Sequence, residues 1–211
     1  MLKMDSESIH SLVYSKKVVE FVTLTGEFCN SVENVRNFSA EENLRKMQLI
    51  LPLLYMKAVL LPRIEQVLED EPEKFVTEMD YNVLQQRWLE ILGENDSYYE
   101  VFDPDLQFRE ETATASISEN LMDIYQDLKD FITSYSLGDE SIMNDALYDC
   151  VFHFSEFWGQ RLVNVLRAIH MLLTGGTDFT DNRETEGDID TEQGKDLPRW
   201  FERFFNAGTD E

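Results

Sequence analysis

The sequence predicts an all-α fold, an antiparallel bundle of four to five main helices. Three observations carry this expectation. Apolar residues recur at steps of three and four through four separate segments, the period of one helix face. Capping residues and glycines stand where such helices would start and stop. No segment alternates as a convincing strand ladder. An aromatic-containing acidic arm over residues 94–115 and a C-terminal tail complete the picture. Residues 1–176 are read as the bundle domain, 177–196 as an acidic flexible linker and 197–211 as a short aromatic segment.

The first helix is marked by Tyr14, Val18, Phe21, Thr25, Phe28, Val32 and Val35. The second follows Leu44, Met47, Leu51, Leu54, Ala58 and Leu61. Around Leu49–Leu61 it is apolar on nearly all sides, which predicts the central, buried helix of the bundle. Pro52 removes one backbone hydrogen bond there and predicts a kink. Pro62 ends this helix or starts a short successor through Leu68. Thr77 with Asp80 three residues on is a capping-box pattern, and Gly93 is a stop. The helix between them carries Tyr81, Leu84, Trp88, Leu89 and Leu92.

Residues 94–115 hold seven acids together with Tyr98, Tyr99, Val101, Phe102 and Phe108. A loop of about twenty residues is uncommon inside a compact domain. Its aromatics predict a lid or arm packed over the body. Ser116 with Glu119 is a capping box opening a helix through Leu121, Ile124, Leu128, Phe131 and Tyr135, which ends before Gly138. Asp139 caps the last and longest helix. Its seam is Leu147, Val151, Phe154, Trp158, Leu162, Val165, Ile169 and Leu172, and Gly175-Gly176 ends it. The linker that follows is polar and acidic. Beyond it, Trp200, Phe201, Phe204 and Phe205 would share one face of a short helix, with Pro198 near its first turn.

The chain has 211 residues, 43% hydrophobic and 12% aromatic, which suffices for one domain with a real core. It carries 42 acidic and 18 basic residues, a formal net charge of −24. Residues 1–64 have 7 acids and 8 bases, a net of +1, whereas residues 65–111 have 15 acids and 3 bases, a net of −12. Such a chain is repelled by phosphate backbones and anionic lipid, so no direct nucleic-acid or membrane binding is expected. Cys29 and Cys150 lack neighbours at metal-ligand spacing and read as buried thiols. The first ten residues have no apolar signal region, and the most apolar stretch, Leu49–Leu61, is shorter than the roughly 20 residues that span a bilayer. A soluble, cytoplasmic protein is the expectation.

Phosphate-binding glycine loops, HExxH and GxSxG are absent. Of the three histidines, His10, His153 and His170, only His153 stands near a thiol, Cys150, and that thiol lies by the apolar seam. Glu119, Asp123, Asp127 and Asp130 line successive turns of one helix; Asp149, His153 and Glu156 do so on another. Facing helices can gather such groups around a metal. The paired Glu-x-x-His pattern of di-iron bundles is missing, however, and a solvated polar face is the preferred reading. No metal ligand and no cofactor is assigned. On the last helix Gln160, Asn164 and Arg167 form a polar stripe beside Phe152, Phe157 and Trp158, the make-up of a small-ligand pocket or of plain helix packing. The tail aromatics Trp200, Phe201, Phe204 and Phe205 are candidate partner-binding residues. They would dock on their own chain, on a second copy, or in a partner's groove.

Four segments together resemble a known family. They are Val13–Thr23 (VYSKKVVEFVT), Leu51–Ala58 (LPLLYMKA) with Leu61-Pro62, Ser116–Glu119 leading to Asp123–Phe131 (DIYQDLKDF), and Trp158–Asn164 (WGQRLVN) with Leu166–His170. The chain is similar here, over roughly residues 11–174, to the bacterial family catalogued as domain of unknown function 5063. The resemblance implies an all-helical, cytoplasmic protein with no assigned activity and no catalytic residues to carry over. It draws attention to a candidate polar pocket of Tyr55, Lys57, Glu119, Asp123, Gln126, Trp158, Gln160 and Arg167, and to Tyr125. Lys57 sits in an otherwise apolar helix. Either Glu119 or Asp123 pairs with it, or it snorkels to the surface.

The function expected is a non-enzymatic interaction module that presents an acidic face to a basic partner or a helix to a groove, with a homodimer possible. The alternative is a ligand sensor or metal-dependent enzyme with a polar site between helices.

Overall fold

The computed structural model describes residues 6–69, 73–100, 114–177 and 179. The fold is all-α. Helices α1 (Ser6–Val13), α2 (Lys16–Glu33), α3 (Ala40–Val59) and α4 (Glu78–Leu92) precede a two-stranded antiparallel ladder of β1 (Ser97–Tyr99) and β2 (Thr114–Ser116). Helices α5 (Ile117–Ser136), α6 (Glu140–His153) and α7 (Gly159–Thr174) follow. A π-helical turn, Phe154–Trp158, joins α6 to α7 without a break, so these form the single long helix expected from the sequence. The ladder was not expected. It pairs Ser97 with Ser116 and Tyr99 with Thr114, and so closes the base of the arm. Residues 101–113 of that arm, linker residues 178 and 180–196, and Trp200, Phe201, Phe204 and Phe205 lie outside the described residues.

Local chemistry sets the helix ends. Ser39 and Thr77 form reciprocal capping boxes with Glu42 and Asp80. Ser116 Oγ accepts from the Glu119 amide at 3.1 Å, and Asp139 Oδ1 accepts from Ser141 and Ile142 at 3.0 and 3.1 Å. Gly93 stops α4 with φ of 54°, a backbone state that a side chain would strain. Helix α1, missed by the period analysis, packs Ile9 and Val13 on Met143 of α6, and Tyr135 Oη donates to the Val13 carbonyl at 2.7 Å.

The central helix is α5, which packs against α2, α4, α6 and α7. Leu121, Ile124, Leu128 and Phe131 are buried on it, facing a core that includes Phe21, Phe28, Trp88, Leu162 and Val165. The expectation that the Leu49–Leu61 helix would be central is corrected. Helix α3 covers α2 and α7 with Leu44, Met47, Leu51 and Leu54, but its other side is open. Tyr55, Met56, Val59 and Leu60 are 40–57% exposed there. Pro52 lies on that exposed side and the helix runs through it. No successor helix follows Pro62.

Instead, a non-helical strap, residues 61–69 and 73–77, is tied down by buried polar side chains. Asp145 accepts from the Val67 and Leu68 amides at 2.9 and 2.7 Å, and Asp130 from Phe75 and Val76 at 2.7 and 2.9 Å. Asn144 Nδ2 donates to the Glu65 carbonyl at 2.8 Å. Buried Asn43 anchors the α2–α3 turn the same way, donating to the Val35, Phe38 and Ser39 carbonyls. Asn43→Ala is expected to lose about 2 kcal/mol, since buried carbonyls would lose their donor. Urea unfolding measures it, and a loss under about 0.5 kcal/mol would count against the anchor.

Candidate functional site

The candidate pocket residues do not converge. Lys57 pairs with neither Glu119 nor Asp123; its Nζ lies 2.6 Å from Glu20 on α2, and the side chain is only 17% exposed. Tyr55 stacks edge-on against the Phe154 ring. Trp158 is fully buried and donates to the Cys150 carbonyl at 3.1 Å. Gln126 is half-buried, and Glu119, Gln160 and Arg167 face outward. Asp123 alone enters a compact polar cluster. It accepts from Arg161 Nε at 2.5 Å and from Tyr81 Oη at 2.9 Å, and the Arg161 guanidinium lies 3.8 Å from the Phe157 ring centre. Burial, and then the Asp123 charge, pushes the Tyr81 phenol up, so it stays a donor. This cluster ties α4, α5 and α7 together.

The π turn explains why Arg161 stands where the stripe through Arg167 was expected. One extra residue in the turn rotates everything after it by about 100° relative to an unbroken α-helix.

A second cluster lies beneath the strap, where the acidic stripes of α5 and α6 do meet. Asp127 Oδ1 accepts from His153 Nδ1 at 2.8 Å, and Lys74 of the strap reaches Asp149 at 3.0 Å. His153 Nε2 stands 3.7 Å from Asp149. These side chains, with Asp130 and Cys150, enclose a cavity of about 10 Å³. That is room for a single water molecule, and the second carboxylate oxygens of Asp127 and Asp130 make no hydrogen bond. Among the described residues no three Asp, Glu, His or Cys side chains are placed to hold a metal ion. Burial pushes both thiols far up, so Cys29 and Cys150 are not nucleophiles as folded.

Burial also raises the Asp127 carboxyl, against the His153 hydrogen bond. A raised carboxyl means that the folded state keeps its proton to higher pH than the unfolded chain. The resulting penalty is absent below the unfolded pKa, grows between the two values and is fully present above the folded one. Asp127→Asn, which still accepts from His153, is therefore expected to raise Tm at pH 7, with the gain fading as pH falls and gone by about pH 4. Calorimetry across pH checks this. A lower Tm at pH 7 would mean that the His153 pairing outweighs burial.

The third feature is α4 with the strap. Glu65, Glu69, Glu73, Glu78, Asp80, Glu90 and Glu94 are exposed there. So are Met79 at 76% and Val83 at 44%, one turn apart. Between α4 and α5 runs a half-open cleft of about 330 Å³, with Phe75, Val76, Val83 and Leu84 as its apolar walls. Arg87 and Lys129 line it too. Sequence reasoning missed Lys74 and Arg87, which no local motif marks.

No helix among the described residues is long and apolar enough to cross a membrane. No curated protein matches the chain. The crystal structure of protein BF1032 from Bacteroides fragilis is 36% identical, superposes with a TM-score of 0.68, and is matched over 84% of this chain and 99% of that one. The family model described as domain of unknown function (DUF5063) matches residues 12–174. With that match across most of its length, and with the helical bundle of its solved relative, the chain belongs to the DUF5063 family.

Proposed function

We propose that the protein is a non-enzymatic, cytoplasmic interaction module whose acidic α4–strap face receives a basic segment of a partner protein. The exposure of Met79 carries this reading. A large apolar side chain, 76% open to water and flanked by Glu78 and Asp80, gives an incoming amphipathic helix both an anchor and counter-charges. Six exposed carboxylates on the strap and α4, with Glu94 just beyond, would steer such a segment and repel nucleic acid. The test is isothermal titration of the intact chain with a synthetic helix bearing leucines on one face and lysines on the other. Binding is expected at low salt, weakened by about 0.5 M salt and by Met79→Asp. Absence of binding at low salt, or equal affinity for the variant, would sink the reading.

A second copy is the other partner we infer, for the open side of α3. Tyr55, Met56, Val59 and Leu60 form a continuous exposed stripe within the one part of the chain whose net charge is near zero, +1 over residues 1–64. Two molecules of charge −24 meet there with the least repulsion. Light scattering should show a dimer that Val59→Glu dissociates; a monomer at every concentration would refute it.

A further inference from the structure

The α4–α5 cleft contains a cation with no partner among the described residues. Of the groups lining it, Lys129 Nζ lies 2.7 Å from Glu33 Oε1, and Tyr125 Oη donates to the same oxygen at 2.8 Å. Both are committed, and the Glu33 hydrogen bond raises the Lys129 amine. Asp80 is committed as well, since its Oδ2 accepts from the Thr77 amide and hydroxyl in the α4 cap, at 3.2 and 2.7 Å. Arg87 is different. It is half-buried, lines the cleft, and makes no hydrogen bond or ion pair among the described residues.

That is unexpected in a chain with 42 acidic against 18 basic residues. Where acids outnumber bases so heavily, a guanidinium held half out of water would ordinarily be paired. A guanidinium offers a planar fork of donors whose natural complement is a carboxylate, bound by two parallel hydrogen bonds. The walls that Arg87 faces are hydrocarbon: Phe75, Val76, Val83 and Leu84. The volume, about 330 Å³, lies at the low end of small-ligand sites.

We propose that this cleft binds a small monocarboxylate with an apolar body, such as a medium-chain fatty acid. The carboxylate takes the Arg87 fork and the chain lies along Val76, Val83 and Leu84. One free guanidinium matches one negative charge. A dianionic phosphate head would meet the field of Asp80 and Glu78, with no second free cation among the described residues lining the cleft to offset it. The site adjoins the proposed partner surface and shares Asp80 with it, but Met79 does not line the cleft.

The test is nuclear magnetic resonance titration of the full chain with sodium octanoate, 1-octanol and octyl phosphate. Octanoate is expected to shift amides of α4 around Val83–Trp88 and of α5 around Tyr125–Lys129, and to bind at least about tenfold more tightly than the other two. Arg87→Gln should weaken octanoate by about tenfold and leave Tm unchanged, because no bond is broken, with Arg87→Lys intermediate. Val83→Trp, which fills the cleft, should abolish the shifts. Equal binding of octanoate and octanol would reduce the cleft to an apolar patch and overturn the proposal. So would tighter binding of octyl phosphate, unaltered binding by Arg87→Gln, or shifts confined to α3. Loss of peptide binding in Met79→Asp with octanoate binding intact would show that the two sites fail separately.

Discussion

Gly159→Ala is expected to destabilise the protein by about 2 kcal/mol, as overpacking does. The sign is the opposite of the usual one, because replacing a glycine inside a helix by alanine normally gains up to about 1 kcal/mol. Gly159 closes the π turn, and its amide donates to the Phe154 carbonyl. A Cβ on it would stand 2.4 Å from that carbonyl oxygen and 2.9 Å from the Phe154 ring. The ring has little freedom, held between Tyr55 and Trp158 at centroid distances of 5.3 and 4.6 Å. The carbonyl is backbone and moves only if the turn opens. Opening the turn would displace Trp158 from the core and carry Arg161 off Asp123. Guanidine unfolding, with Trp emission and near-ultraviolet dichroism as probes, measures the loss. A neutral or stabilising result would show that the turn relaxes to α-helix freely and that its geometry is incidental.

Asp145→Ala is expected to have a larger effect, about 3 kcal/mol, or roughly 6–12 °C in Tm for a chain of this size. Asp145 is 2% exposed, and its two oxygens accept from Val67 and Leu68 of the strap and from Asn144. Alanine strands these donors in a part-buried site, and the unmade bonds cost more than the original bonds contributed. The damage should be local first. Amide exchange at Val67 and Leu68 should accelerate well before that of α5. Asp145→Asn keeps one accepting oxygen and should lose less than alanine does. A loss below about 1 kcal/mol for alanine would mean that the strap is held elsewhere.

The caps at Thr77, Ser116 and Asp139 and the stops at Gly93 and Gly138 were legible because that chemistry is local, contained within a few residues. The seams of α2, α5 and α7 were legible from their period. The burial of α3 was not, since apolarity on every side says nothing about which side a neighbour covers. The partner of Lys57 was missed for a related reason. Neither helix pattern states that α2 lies beside α3, and so Glu20 was invisible. The stripes of Asp127 and Asp130 and of Asp149 and His153 were readable, but the solvated face preferred for them is corrected, since Asp130 is buried and Asp127 meets His153 beneath the strap. Lys74 arrives between them from an irregular strap, where no periodicity operates. Arg161 was hidden by the π turn, which shifts phase without any glycine–proline signal of its own. Nothing local to Arg87 distinguishes it from any other charge on a helix surface.

The two buried thiols give the molecule a pair of internal clocks. Cys150 lines the cavity under the strap, whereas Cys29 lies in α2, where that helix meets α5. Neither reacts with an alkylating reagent until its own surroundings part, because the reagent needs an accessible thiolate. Lifting the strap alone uncovers Cys150; reaching Cys29 requires the bundle itself to separate. The ratio of the two labelling rates under native conditions therefore times the strap against the bundle. Equal rates would mean that both open as one cooperative unit, and a faster Cys150 would make the strap the first part to leave.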